Sequence, residues 1–519
     1  MVVTSPYPKV DIPEVSLTSY VLERAAEFGD KPALIDGPSG RTITYKDLAG
    51  AVRAMGAGLI ARGFRKGDCF AIYMPNVPEY AVAFHAVASV GGINTTVNPL
   101  YTAEELAFQL EDSRAKYLLT IPQFLDKAME ASGKTGVEEI FVLGECEGAT
   151  PVTDLLSAGV DVPEVDFDVR DDLAVLPYSS GTTGLPKGVM LSHHNLVGNV
   201  CQFLAVQRIR PDDSFIGILP FFHIYGMTVL MNGSLRSGAT IVTMPRFDLE
   251  QFLELSQKHA TTRAYLVPPI VLALAKHPVV DNYDLSSLEL VMSGAAPLSG
   301  ELAAAASSRL GCHVMQGYGL TETSPVTHCV AEDPAKDKPG SIGPPLPNTE
   351  CMVVDPTSGD EVVGEALGEV LIRGPQVMKG YLNNDVATSN TIDRDGWLHT
   401  GDIGRVDSDG YFFLVDRLKE LIKYKGMQVA PAELEAVLLS HPQIGDAAVI
   451  PVADEDAGEV PKAFVVLEGE VDNDDIMTYV AERVAPHKRV RLVEVVDEIP
   501  KSPSGKILRR VLKDRETSA

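Results

Sequence analysis

The sequence predicts an α/β protein: a large N-terminal domain of layered α/β sheets, a β-rich subdomain, and a small α+β C-terminal domain. Three observations carry this. Strand-like and helix-like segments alternate through the first half, short strands and turns replace them from Cys351 to Val415, and a mixed pattern fills the last hundred or so residues. In order, LTSYVLERAAEFG has apolar residues at helical spacing, KPALID and TITY read as strands, and YKDLAGAVRAMGAGLIARG reads as a helix. DCFAIYMPN is a strand, EYAVAFHAVASVGG a helix, and YLLTI and IFVLG continue the alternation, so the sheets are expected to be largely parallel. CMVVD, EVLIRG and GYFFLVD are the short strands of the subdomain. Beyond them, the helical PAELEAVLLSH and DDIMTYVAERVA stand among the strands DAAVIPV, KAFVVLEG and RLVEVVDEI. No low-complexity tether separates the last two parts, so DRLKEL is expected to be a short hinge.

The chain has 519 residues, and 44 Lys and Arg against 71 Asp and Glu leave a net charge of −27. That length suggests roughly three structural units. The charge balance excludes a nucleic-acid binder, which needs a basic face. Anionic ligands must be met locally by Lys, Arg, backbone N–H groups or metal. Six scattered cysteines with no CxxC pair read as reduced thiols. The N-terminal MVVTSPYPKVDIPEVS carries Pro8 and acids where a signal peptide needs an apolar core, and RETSA is no lipid-anchor signal. The uncharged stretch Ser214–Leu235 is broken by Pro220, His223, Asn232 and glycines, and FIGILP reads as a buried strand before a turn. No membrane span, a cytoplasmic location and a monomer or homodimer are the expectations.

LAVLPYSSGTTGLPKGVMLSHHNLV orders a strand, a loop over Tyr178–Gly188, a second strand and a helix. The loop offers Ser179, Ser180, Thr182, Thr183, three glycines including Gly181, and Lys187. Glycines let successive N–H groups turn toward one anion, hydroxyls add donors and the lysine adds charge, which makes a phosphate cradle. It is not a Walker loop, because Gly181 and Gly184 are three apart and Gly188 follows the lysine. A plain surface turn would not need so many donors.

YSSGTTGLPKG resembles the signature loop of the adenylate-forming superfamily of acyl-CoA synthetases, peptide-synthetase adenylation domains and firefly-type luciferases. The other motifs of that family follow in order: SGAAPLS (293–299), QGYGLTET (316–323), LHTGDIG (398–404), DRLKELIKYKGMQVAP (416–431) and PKSPSGKILRR (500–510). FFHIYGM, VPPIVLALAKHP and ELIKYKGMQVAPAELE are similar to the 4-coumarate–CoA ligase branch, including its bacterial members. The resemblance spans essentially the whole chain. It implies a first domain over 1–418 and a mobile second one over 419–519 that turns about Lys419.

The resemblance also implies an ATP-dependent carboxylate–CoA ligase that forms acyl-AMP and then acyl-CoA, with ATP, CoA and Mg²⁺ as cofactors. Hydroxycinnamates of phenylpropanoid type are the expected acids, and medium- or long-chain fatty acids the alternative. An amino-acid adenylating enzyme, a light-emitting oxygenase and a catalytically silent binding protein are the further readings. ATP or AMP is expected at Ser179–Thr183, Lys187, Ala295, Gln316, Gly317, Tyr318, Thr321, Asp402, Arg417 and Lys506, with the metal at Glu322. The late lysine Lys506 and Thr321 serve the first step, Lys423 and Gln428 the second, and His223 gates the carboxylate or thiol side. CoA falls to Arg246, Lys425 and Gly426. Ile224, Tyr225, Gly294, Ala295, Gly319, Pro325 and Val326 line the acyl slot, with Gly317 beside them. Thr228, Tyr265, Met292 and Thr327 depart from the usual plant pattern there.

Taken singly, these residues have other readings. GYGLTE ends in Glu322 where a dinucleotide fingerprint has glycine. Asp402 could cap a turn, Lys506 sits in a basic stretch that could be a solvated helix face, and His223 after two Phe could be a packed core residue.

Overall fold

The structure is a computed structural model that describes residues 2–156, 165–179, 186–362, 364–425, 427–454, 456–503 and 505–518. The predicted alternation becomes two eight-stranded sheets. In the first, Leu173–Ser179, Ile93–Thr96, Cys69–Tyr73, Ala115–Thr120, Glu139–Val142 and Thr150–Pro151 run parallel. Lys187–Ser192 and Gly380–Tyr381 add an antiparallel edge. In the second, Pro32–Asp36, Thr240–Thr243, Ser214–Gly217, Arg263–Leu266, Leu290–Ser293 and His313–Gly319 are parallel. Antiparallel Thr42–Thr44 and Val326–Cys329 close its two edges. One apolar core, including Phe70, Phe84, Phe203, Phe215 and Tyr265, runs through both layers. Burying each such ring contributes about 1.5–3 kcal/mol.

The short strands from Glu350 onward form an antiparallel five-stranded sheet, with Val3–Thr4 from the N-terminus on its edge. The last part has its own sheet, in which Ile444–Asp454 pairs with Gly458–Leu467 over ten register positions. Its core includes Ile422, Val429, Leu434, Leu438, Ile476 and Val480. The apolar positions that predicted the helices Pro431–Leu439 and Asn473–Ala481 are the ones these helices bury.

Two segments differ from the sequence reading. LTSYVLERAAEFG is broken into Leu17–Leu22 and Ala25–Phe28. After the break, the Phe28 ring lies tilted against Tyr45 with centroids 5.0 Å apart and crosses Gly238, where a Cβ would lie 2.3 Å from it. FIGILP does supply the strand Ser214–Gly217, but the residues after its turn wind into a π-helix, Tyr225–Asn232. Among the described residues no helix is long and apolar enough to cross a membrane. All six cysteines are free thiols.

Three buried histidines give the fold a pH dependence. Burial pulls His85 and His328 down to about 3 and His193 to about 4. The unfolded chain protonates each near its ordinary value of about 6.5. Below that pH the unfolded state therefore binds more protons, and stability present above it is lost as pH falls toward 3–4. Each histidine is expected to remove roughly 2 kcal/mol between pH 7 and 5. His328, 4.7 Å from the Phe412 ring, is the one to test. His328→Gln should flatten the dependence of the urea midpoint on pH over that range; an unchanged slope would refute the assignment.

Candidate active site

The site lies at the C-terminal ends of the central strands, where parallel α/β sheets leave a crevice. Leu290–Ser293 runs into Gly294 and Ala295, and His313–Gly319 into a 3₁₀ turn at Thr321–Thr323. Ala295 takes a left-handed φ of 69°, which turns the chain across the crevice. Gln316 braces that turn by accepting the Leu298 N–H at 2.9 Å.

Asp402 and Arg417 are register partners on adjacent strands, and the Arg417 Nε lies 3.0 Å from Asp402 Oδ1. The Tyr318 hydroxyl donates to Asp402 Oδ2. Burial raises the pKa of the Asp402 carboxyl, against the opposing pull of Arg417 and Tyr318. Burial also pulls the Arg417 guanidinium down, but Asp402, Tyr318 and Glu322 more than offset it, and it stays charged. A carboxylate has about four acceptor positions, so Asp402 keeps capacity for two more hydroxyls.

Lys506 comes into this cluster from the C-terminal domain. It stands in a turn where its N–H donates to Ser502 Oγ at 3.1 Å, just after Gly505 at a φ of 77°. A Cβ on Gly505 would lie 3.0 Å from Val267, so this turn packs on the large domain. Burial and then repulsion by Arg417 lower the Lys506 pKa, with Glu420 and Asp402 opposing. His223 is half-buried, and burial followed by the field of Lys506 lowers it to about 4. Its Nδ1 accepts the Tyr225 N–H at 3.3 Å, which assigns the proton of the neutral ring to Nε2. His223 is thus both packed and functional in aspect, offering one N–H donor.

The residues expected to line the acyl slot include a flat wall. The Tyr225 ring covers Gly294, where a Cβ would lie 3.0 Å from ring carbon, and its hydroxyl donates to the Met292 carbonyl at 3.2 Å. Gly317 faces the Met292 sulfur at 3.4 Å from its would-be Cβ. Gly319 is required for another reason: a Cβ there would meet the Pro325 carbonyl at 2.1 Å, so the backbone itself demands glycine. Ile224, Pro325 and Val326 are buried beside it. Gly294→Ala is expected to raise the KM for the acid at least tenfold with ATP affinity unchanged, since one methyl meets a fixed ring. Equal acid KM values in parent and variant would place the ring elsewhere.

At the phosphate end, Lys187 pairs in register with Ser179. Ser180, Gly181, Thr182 and Thr183 lie outside the described residues, as does Gly426. Thr321 is half-buried and Glu322 follows it. Tyr381, which the sequence reading did not single out, donates its hydroxyl to Glu322 Oε1 at 2.8 Å and lies under the Lys187 ammonium, 4.2 Å from the ring centroid. No group of three or more His, Cys, Asp or Glu among the described residues could hold a metal ion. A lone carboxylate fits Mg²⁺ bound together with phosphates, because that ion takes one or two carboxylates and keeps phosphate oxygens and water.

Lys423 and Gln428 face each other in the hairpin Ile422–Tyr424 and Met427–Val429. Both are exposed, as are Lys425 (φ 48°), Lys419 in the turn before the hairpin, and Arg246 after Thr240–Thr243. Among the described residues no hydrogen bond or ion pair joins this group to Lys506, Asp402 or Tyr225. The structure therefore brings Lys506, Asp402, Arg417 and His223 together and leaves Lys423, Gln428, Lys425 and Arg246 exposed.

A family model described as "AMP-binding enzyme" matches residues 21–382, and one described as "AMP-binding enzyme C-terminal domain" matches 433–506. The chain is 46% identical to a 4-coumarate–CoA ligase 5 of Oryza sativa subsp. japonica, across 98% of this chain and 96% of that protein. It is 45% identical to 4-coumarate:CoA ligase 1 of Petunia hybrida, across 99% and 97%. Among solved structures, an anthranilate CoA ligase in complex with anthranoyl-AMP superposes with a TM-score of 0.91 at 27% identity, covering 98% of both chains.

Proposed function

The chain belongs to the AMP-binding enzyme family, and from that premise we propose that it is an ATP-dependent carboxylate–CoA ligase acting on 4-coumarate and related hydroxycinnamates. Near full-length similarity to 4-coumarate–CoA ligases supports the substrate class. The observation that carries the mechanism is Lys506, a half-buried cation from the small domain set beside Asp402, Arg417 and His223.

In the first half-reaction a carboxylate oxygen bonds to the α-phosphorus of ATP and the bond to pyrophosphate breaks. Lys506 bridges carboxylate and α-phosphate, and a fixed charge in a dry site is the main lever for such chemistry. Thr321 and Lys187 bind phosphate, and Asp402 accepts the ribose hydroxyls. His223 offers Nε2–H to the acid. Mg²⁺ held through Glu322 supplies charge neutralisation to the phosphates when bound. In the second half-reaction the CoA sulfur loses its proton and bonds to the acyl carbon, and AMP leaves. The exposed Lys423, Gln428, Lys425 and Arg246 serve this step after the small domain turns about Lys419, which takes Lys506 out. The flat wall of Tyr225 over Gly294 suits a planar ring.

The test is pyrophosphate release and CoA-thioester formation with ATP, Mg²⁺ and a panel of coumarate, cinnamate, ferulate, benzoate, octanoate and palmitate. Phenylpropenoates are expected to lead. Preference for the aliphatic acids would keep the mechanism and overturn the slot, and silence with every acid would overturn the enzyme.

A further inference from the structure

We propose that Tyr381 is a positioning residue that keeps the phosphate-binding lysine and the metal-binding carboxylate apart and separately available, its ring holding Lys187 and its hydroxyl aiming Glu322. The proposal deepens the nucleotide-binding reading above and rests on it. Lys187 and Glu322 carry opposite charges and both border Tyr381. Left to themselves, such groups would pair directly, and each would then have to be freed before phosphate or metal could bind. Among the described residues no ion pair joins them. The ammonium instead lies 4.2 Å from the centroid of the Tyr381 ring, and Glu322 Oε1 accepts the phenol hydrogen at 2.8 Å.

The two interactions differ in strength in a useful way. A cation over a ring face is held weakly enough for a phosphate to draw it off. A hydroxyl hydrogen bond to a carboxylate is charge-assisted and fixes the orientation of that oxygen. The tyrosine itself is well anchored. Its strand pairs with Lys187–Ser192 through Val189↔Tyr381, and its N–H donates to Thr388 Oγ1 at 2.9 Å. Leu382 donates to the Gly188 carbonyl at 2.8 Å, and Met378 to the Glu322 carbonyl at 2.9 Å. The segment around Tyr381 is thereby bonded to the chain beside Lys187 and to Glu322 itself. The ring is buried.

Two variants separate the roles. Tyr381→Phe keeps the ring and removes the donor, whereas Tyr381→Leu removes both. The first readout is Mn²⁺ binding in the presence of a non-hydrolysable ATP analogue, followed by electron paramagnetic resonance. The second is the Mg²⁺ concentration for half-maximal acid-dependent pyrophosphate release. Tyr381→Phe is expected to weaken the metal on the order of tenfold in both, with thermal midpoint and analogue affinity at saturating metal unchanged. Tyr381→Leu should in addition lose analogue affinity at saturating metal, as Lys187 loses the ring that holds it. Parent-like metal binding by Tyr381→Phe overturns the proposal, and so does a loss accompanied by a lowered thermal midpoint. The analogue experiment needs no acid, so a failed substrate panel leaves it decisive. A parent chain that binds no Mn²⁺–nucleotide overturns this proposal and the nucleotide site together.

Discussion

Lys506→Ala is expected to slow acyl-adenylate formation by on the order of a thousandfold, while thioester formation from supplied acyl-adenylate stays near the parent rate. The expectation comes from where the side chain is. It is half-buried, shares a field with Asp402, Arg417 and Glu420, and is close enough to His223 to lower that ring as well. No other lysine from the small domain reaches these partners among the described residues. The hairpin residues proposed for thioester formation lie elsewhere, exposed and with no hydrogen bond or ion pair to it among the described residues. Single-turnover adenylation followed by quench, alongside thioester release from synthetic acyl-adenylate, separates the two steps. Equal losses in both would show that the lysine supports the fold and not one half-reaction.

The second large effect is expected at Arg509, three residues on. Its guanidinium pairs with Glu435 at 2.7 Å and with Glu420, and its Nε donates to the Val449 carbonyl at 3.2 Å. Burial pulls Arg509 down, but Glu435, Glu420 and Asp416 outweigh it. Glu420 ends the turn that contains Lys419, so this one residue ties the putting-in-place of Lys506 to the chain crossing between the two domains. Arg509→Ala leaves Glu420 and Glu435 without their cation, and breaking a buried pair in this way costs about 3–5 kcal/mol. Hydrogen exchange across 419–518 should rise well before that of the large domain, and adenylation should fall with it. Unchanged exchange would mean that the two carboxylates find other partners.

Much of this was legible beforehand, for physical reasons. Alternating strand and helix patterns depend on local periodicity, which is why the two largely parallel sheets and the mixed C-terminal domain were readable. The six motifs were readable because each is short and continuous, and Asp402, Arg417 and Lys506 were named from them. What could not be read was which of them meet. Asp402 and Arg417 touch because their strands are register partners, and Lys506 reaches them only when a whole domain is docked. Tyr381 carried no signal, because it belongs to none of the motifs and its partner Glu322 is 59 positions away. The π-helix carrying Tyr225 was missed because its residues show no period distinct from that of an apolar turn. His223 shows the limit of choosing between readings from composition: the structure packs the ring and also offers its Nε2–H.

The lowered pKa of Lys506 has a consequence for timing. Burial and Arg417 both disfavour this ammonium. Adding a nucleotide reverses the sign of that environment, since the phosphates bring more negative charge than Asp402 and Glu420 supply. On the proposed mechanism the charge of the ligand would act as a latch on the small domain, tight while all the phosphates are present and slackened once pyrophosphate departs, so that completing the first half-reaction would itself favour release.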